Sequence, residues 1–150
     1  MKKKILIVHL SILITLPLFS QQDITLNDIW KKYTFYPEGI NSLQSMNNDE
    51  YYTTMVKVDD GQEIIKHQFK NGKKVRTLFK SSDFNIPKIT NYEFSNDEKK
   101  ILLATETESI YRYSKRSKYY VYNIQTDKIT KIGDKKIMHA TLSPDGKKIA

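Results

Sequence analysis

The chain has 150 residues, with 25 Lys and Arg against 17 Asp and Glu, a formal net charge of +8 and no cysteine. That composition excludes a disulfide framework, a cysteine-ligated metal and a lipid anchor on cysteine within the chain, so a sizeable buried core must stabilise it. Setting aside Lys2, Lys3 and Lys4 leaves 22 basic residues against 17 acidic ones; these are spread over turns and strand edges, which keeps a β-protein soluble and is not the clustered footprint of a nucleic-acid binder.

The three lysines open residues 1–22, and Ile5 to Phe19 is almost wholly apolar, with no acidic residue before Asp23. This is the layout of a secretory signal peptide, with a cleavage point after Ser20. The apolar run of 15 residues falls short of the roughly 20 needed for a membrane-spanning helix. Export to the periplasm or the medium is the expectation. An uncleaved signal anchor, tethering the protein to the membrane, is the alternative.

Residues 23–39 read as a helical segment. Thr25-Leu26-Asn27-Asp28 is a capping box, with Thr25 as N-cap and Asp28 reaching back. Leu26, Ile29, Trp30 and Tyr33 follow at helical spacing, which places the single Trp on a face that should be buried; Pro37 and Gly39 end the segment.

From residue 40 onward the pattern is strand after strand. A first set is expected near Ser42 to Met46, at Tyr51 to Val58, at Glu63 to Phe69 and at Val75 to Phe79. Asp59-Asp60-Gly61 turns the second strand into the third, and Asn71-Gly72 signals a type I′ hairpin before the fourth. A second set follows at Ile89 to Phe94, Lys100 to Thr105, Lys118 to Ile124 and Ile129 to Ile132. In it Tyr120, Tyr122 and Ile124 share a face, and Thr126-Asp127 makes the last turn. Glu106 to Ser117 forms a longer connection than its counterpart in the first set, and insertions on rigid scaffolds are where function usually resides.

Three related turns punctuate these strands, with Asp49, Asp97 and Asp145 at an interval of 48. Ser95 and Ser143 precede two of them, and Lys99-Lys100-Ile101 and Lys147-Lys148-Ile149 follow. A supersecondary unit repeating at this period marks the blades of a β-propeller. The fold class is therefore all-β: about two blades and the start of a third, from a propeller that closes with four to eight blades. Two blades leave open edges, so the chain is expected to be the front part of a longer protein.

The long connection carries a resemblance. Ile101-Leu102-Leu103-Ala104-Thr105-Glu106-Thr107-Glu108, Tyr111-Arg112-Tyr113-Ser114 and Tyr119-Tyr120-Val121-Tyr122-Asn123-Ile124 resemble the second propeller blade of dipeptidyl peptidase IV enzymes of the prolyl oligopeptidase superfamily. Thr25 to Tyr36 and Tyr51-Tyr52-Thr53-Thr54 are similar to the bacterial members. The resemblance implies an eight-bladed propeller followed by an α/β-hydrolase domain with a Ser-Asp-His triad, against which the leading helix packs. It implies a serine-type dipeptidyl aminopeptidase that releases Xaa-Pro and Xaa-Ala dipeptides from free peptide N-termini, the propeller gating access. It also implies that Arg112 binds substrate, hydrogen-bonding a backbone carbonyl near the N-terminus. The full-length protein is expected to form a homodimer. Two other readings stay open: a prolyl tripeptidyl peptidase of the same superfamily, and a non-catalytic exported propeller that binds other molecules.

On its residues alone, Arg112 reads as an exposed side chain in a solvated loop, stacked on Tyr111 or Tyr113, and it is the resemblance that favours substrate contact. Glu106 and Glu108 are expected either to be solvated or to orient Arg112 by a charge-assisted hydrogen bond. Lys115, Arg116 and Lys118 read as a solvent-facing edge. No catalytic residue is assigned: the five glycines make no Gly-x-Ser-x-Gly elbow, and the fragment should be inactive. His67 and His139 read as core or surface residues, and no metal site or cofactor is expected.

Overall fold

A computed structural model describes residues 23–37, 39 and 42–150. The expected signal peptide, residues 1–22, lies outside the described residues. The chain divides into two compact units between residues 38 and 39.

In the first unit the capping box forms as the sequence predicts. The Asp28 amide donates to Thr25 Oγ1 at 3.2 Å, and the Thr25 amide donates to Asp28 Oδ2 at 3.1 Å. The helix itself, α1, is short: Leu26–Trp30. The amides of Lys31 and Lys32 both donate to the Asn27 carbonyl, and Tyr33 takes φ +51°, which closes the helix after one turn and a half. No residue of α1 is buried, and Trp30 is 71% exposed. The hydrolase domain that the resemblance implies as its packing partner is not among the described residues, and the helix is too short to carry one face through Tyr33. No helix among the described residues is long and apolar enough to cross a membrane.

The second unit is nearly all β. Its first sheet has the order β1 (Gln44–Ser45), β2 (Tyr51–Val58), β3 (Gly61–Gln68), β4 (Lys74–Lys80), each strand antiparallel to the next. The second repeats it with β5 (Ile89–Phe94), β6 (Lys100–Ser109), β7 (Lys115–Asn123) and β8 (Lys128–Ile137). A single bridge, Leu142 to Ile149, begins a third copy. Four-stranded antiparallel meanders of this kind are the blades of a β-propeller.

The two sheets share one core. Ile64, Leu78 and Phe79 of the first meet Ile89, Tyr92, Ile101, Leu103 and Tyr122 of the second. Strand alternation explains the selection: Ile101 and Leu103 point into this core, while Leu102 and Ala104 lie on the opposite face. Phe84, just after β4 in the 3-10 turn Ser82–Phe84, stacks on Phe79 at 5.6 Å and meets the edge of Tyr122 at 5.5 Å. Tyr120 and Ile124 pack against the same cluster, as their shared face requires.

Polar side chains fasten the blades as well. The Gln62 amide brackets the backbone of Ile89, accepting from its N–H at 2.6 Å and donating to its carbonyl at 3.0 Å. Tyr92, 1% exposed, donates its hydroxyl proton to the Ser42 carbonyl at 2.7 Å. Thr53 Oγ1 lies 2.9 Å from the same phenol oxygen, and with the phenol proton already committed, the threonine is the donor.

The repeated turns align side by side. In the second, Ser95 Oγ donates to Asp97 Oδ1 at 2.7 Å, and the same carboxylate oxygen accepts from the Lys99 amide. In the third, Ser143, Asp145 and Lys147 make the same bonds. These donors, the hydroxyl first, hold both carboxyls below the usual aspartate range. The first turn departs from the spacing by one residue. There Met46 takes the place of Ser95, and Asn48 accepts from the Glu50 amide in the aspartate's role. Asp49 instead holds φ +56°, the counterpart of Glu98 at +54° and Gly146 at +62°. The equal interval of 48 is thus a structural 49 followed by 48. Asn47 donates across to Glu98 and to the Asn96 carbonyl, and Lys100 to the Gly146 carbonyl, so all three turns lie at one end of the sheets.

The Asn71-Gly72 turn also differs from its sequence reading. Only Gly72 has positive φ, and its amide reaches back to the Gln68 carbonyl at 2.9 Å. This is a wider loop closed by glycine, whereas a type I′ turn needs both central residues left-handed.

Candidate functional site

The connection expected over Glu106 to Ser117 is mostly strand. The ladder pairs Thr105 with Lys118, breaks, then resumes with Glu108 opposite Arg116 and Ser109 opposite Lys115. Two residues of β6, Glu106 and Thr107, thus stand against Ser117 alone, which is a β-bulge with Glu106 at φ +48°. A bulge bends its strand and re-aims whatever lies beyond it. β8 bulges at the same level, where Ser117 pairs with Ile137 and Tyr119 with Ile132.

Side chains hold the bend. Thr107 Oγ1 lies 2.6 Å from Ser117 Oγ and is hydrogen-bonded to Thr90 of β5. Lys118 Nζ donates to Glu106 at 2.9 Å. Beyond the bulge, Arg116 Nε donates to one oxygen of Glu108, and Lys136 Nζ, from β8, donates to the other at 2.9 Å. Lys136 first, then Arg116, keeps the Glu108 carboxyl below its ordinary range.

The tip is Ile110 to Ser114, closed by the Ile110 amide donating to the Ser114 carbonyl at 2.8 Å. Arg112 sits at its apex and is exposed, as are Tyr111 and Tyr113 at 77% and 85%. Antiparallel order puts this tip at the end of the sheet opposite the aligned turns. Tyr113, Thr107 and Lys115 line a cleft of about 440 Å³ that continues over Thr90, Asn91 and His139.

Three sequence expectations change at this hairpin. Glu106 and Glu108 do not orient Arg112; each is taken by a cation of the neighbouring strands. By the same pairing, Arg116 and Lys118 are stem ion-pair partners and not merely a solvated edge. Arg112 is not stacked on either tyrosine, for the cation–π contact among the described residues is Lys66 over Tyr51. No ion pair involves Arg112 among the described residues, which leaves its guanidinium donors turned to solvent.

His67 stacks on Tyr52 at 5.0 Å and bonds Thr54 Oγ1 through Nε2, a packing role in the first blade. No group of three or more His, Cys, Asp or Glu among the described residues is placed to hold a metal ion. What sequence reasoning missed is the Glu108 clamp. Its signal was present, since 108 and 116 are symmetric about 112 and so face each other once that residue is the apex of a hairpin.

A family model described as the dipeptidyl peptidase IV (DPP IV) N-terminal region matches residues 95–150, from the second of the three repeated turns through the whole hairpin to the third. Among solved structures, the crystal structure of Porphyromonas gingivalis dipeptidyl peptidase 4 is similar at 32% identity and a TM-score of 0.69, over 86% of this chain and 19% of that one. The tricorn protease matches at 14% identity and a TM-score of 0.47, over 73% of this chain and 10% of its own. No curated protein matches. The chain spans about a fifth of the length of the P. gingivalis protein. With two four-stranded blades and that likeness running across them, the β-rich part of the chain is an N-terminal propeller part of the dipeptidyl peptidase IV-like kind.

Proposed function

We propose that the chain is the N-terminal part of an exported serine-type dipeptidyl aminopeptidase, in which Arg112 holds the backbone carbonyl of a peptide substrate near its free N-terminus. The observation that carries this reading is the state of Arg112: an exposed guanidinium without a carboxylate partner among the described residues, at the apex of a hairpin braced by three strands. A guanidinium is planar, permanently charged and rich in fixed donors, so it can hold a carbonyl oxygen at a set angle. Held in this way, the scissile bond is presented repeatedly to the nucleophile, raising its effective concentration there.

The triad belongs to a hydrolase domain of the full-length protein, and the propeller admits chain ends in preference to folded loops. Its substrates are peptides with Pro or Ala at the second residue, and it works in the periplasm or the medium as a homodimer. The test is Arg112→Ala in the full-length protein. One charge-assisted contact is worth about 1.5–3 kcal/mol, so kcat/KM on Xaa-Pro substrates should fall roughly ten- to a hundred-fold, mainly through KM. Unchanged kinetics in a folded variant remove Arg112 from the site. Product length from a defined peptide separates dipeptide from tripeptide release.

A further inference from the structure

We infer that Glu108 is a positioning residue for Arg112. The inference rests on the reading of Arg112 as a substrate contact and adds the device that sets its direction. Only two residue pairs, Glu108 with Arg116 and Ser109 with Lys115, join the bulge to the tip. A two-stranded ribbon is marginal in water without something to pack against. This one begins at a bend whose Glu106 is held in a left-handed conformation, so small changes at its base swing the apex.

Glu108 is the point where a third strand takes hold of the ribbon. Its two oxygens divide between Arg116, directly across on β7, and Lys136 on the bulged stretch of β8. Remove the carboxylate charge and Arg116 and Lys136 are left as neighbouring cations with nothing between them. Like charges in such proximity repel, so the ribbon should separate from β8 and the apex should lose its fixed aim. The carboxylate thus does two things: it ties the ribbon to β8 and neutralises the cations that would otherwise force them apart. The other groups at the bend, Lys118 with Glu106 and Thr107 with Ser117, brace the base of the ribbon but do not reach beyond the bulge.

The test is a double-mutant cycle in the full-length protein, with Glu108→Gln, Arg112→Ala and the pair. Glu108→Gln keeps the shape of the side chain and removes its charge. Alone, it should raise KM for an Xaa-Pro chromogenic substrate about three- to tenfold with kcat nearly unchanged. In the Arg112→Ala background it should add less than twofold, because it acts through the residue already removed. Lys136→Gln, which leaves the pair across the ribbon, should give a smaller effect of the same kind and guards against misfolding of the first variant. An equal loss in both backgrounds, or no loss in the wild-type background, overturns the positioning role while leaving Arg112 in place. If Arg112→Ala itself has no effect, the underlying reading fails and the inference falls with it.

Discussion

Replacing Tyr92 by Phe removes one oxygen atom from the seam between the blades, and its cost can be worked from the bonds that atom makes. The phenol donates to the Ser42 carbonyl and accepts from Thr53, which is fully buried. Each bond contributes about 1 kcal/mol net, and stranding a buried partner adds to that, so the loss should be about 2–3 kcal/mol. Thr53→Val should cost about 1–2 kcal/mol by the same reasoning. The double variant should cost about 1 kcal/mol less than the sum, since replacing both partners leaves neither one stranded by the other. Native-state hydrogen exchange is the appropriate assay, because it reads local opening without assuming two-state unfolding of a large protein. Amides of β2 and β5 should exchange about 30- to 150-fold faster in Tyr92→Phe. Strict additivity in the double variant, or acceleration below about threefold in the single one, would refute the reasoning.

Gly61 makes the β2–β3 turn at φ +144°, and a Cβ there would collide with Ser81 Oγ, the acceptor for the Gln62 amide. Gly61→Ala should therefore cost about 1–3 kcal/mol, whereas Gly39→Ala, which meets open space, should change little; equal effects on exchange or melting would contradict this. Tyr122 gives an alkaline signature. Burial first, and then its bond to Asp127, pushes its phenol up to about 12 from an ordinary value of 10. The folded state thus keeps a proton that the unfolded chain releases, so stability is intact below about pH 10 and falls as pH rises from there toward about 12. Tyr122→Phe should flatten stability against pH in that window, and an unaltered slope would rule the residue out as the source.

Much of the blade plan could be read before any coordinates. β5 runs over the predicted Ile89 to Phe94, and β2 over Tyr51 to Val58, because β-branched and aromatic runs bounded by Asp- and Gly-containing turns leave little choice of register. The residues that escaped are those governed by neighbours in space. The one-residue offset of the first turn is invisible in a list of aspartates, since Asn48 can accept the same amide bond. The bulge at Glu106 needs knowledge of what Ser117 faces. α1 ends early through the left-handed turn at Tyr33, although its apolar spacing runs on. At the hairpin, Arg112 stood out through its setting, but the Glu108 clamp depends on Lys136, which is 28 residues away and arrives only when β8 bends.

The most direct measurement is the structure of the full-length protein with a non-hydrolysed Xaa-Pro peptide bound. A nitrogen of Arg112 should lie about 2.7–3.2 Å from a backbone carbonyl oxygen near the peptide's N-terminus. A bound peptide whose carbonyls are all met by other groups, with the blade-two hairpin turned away, would contradict the account.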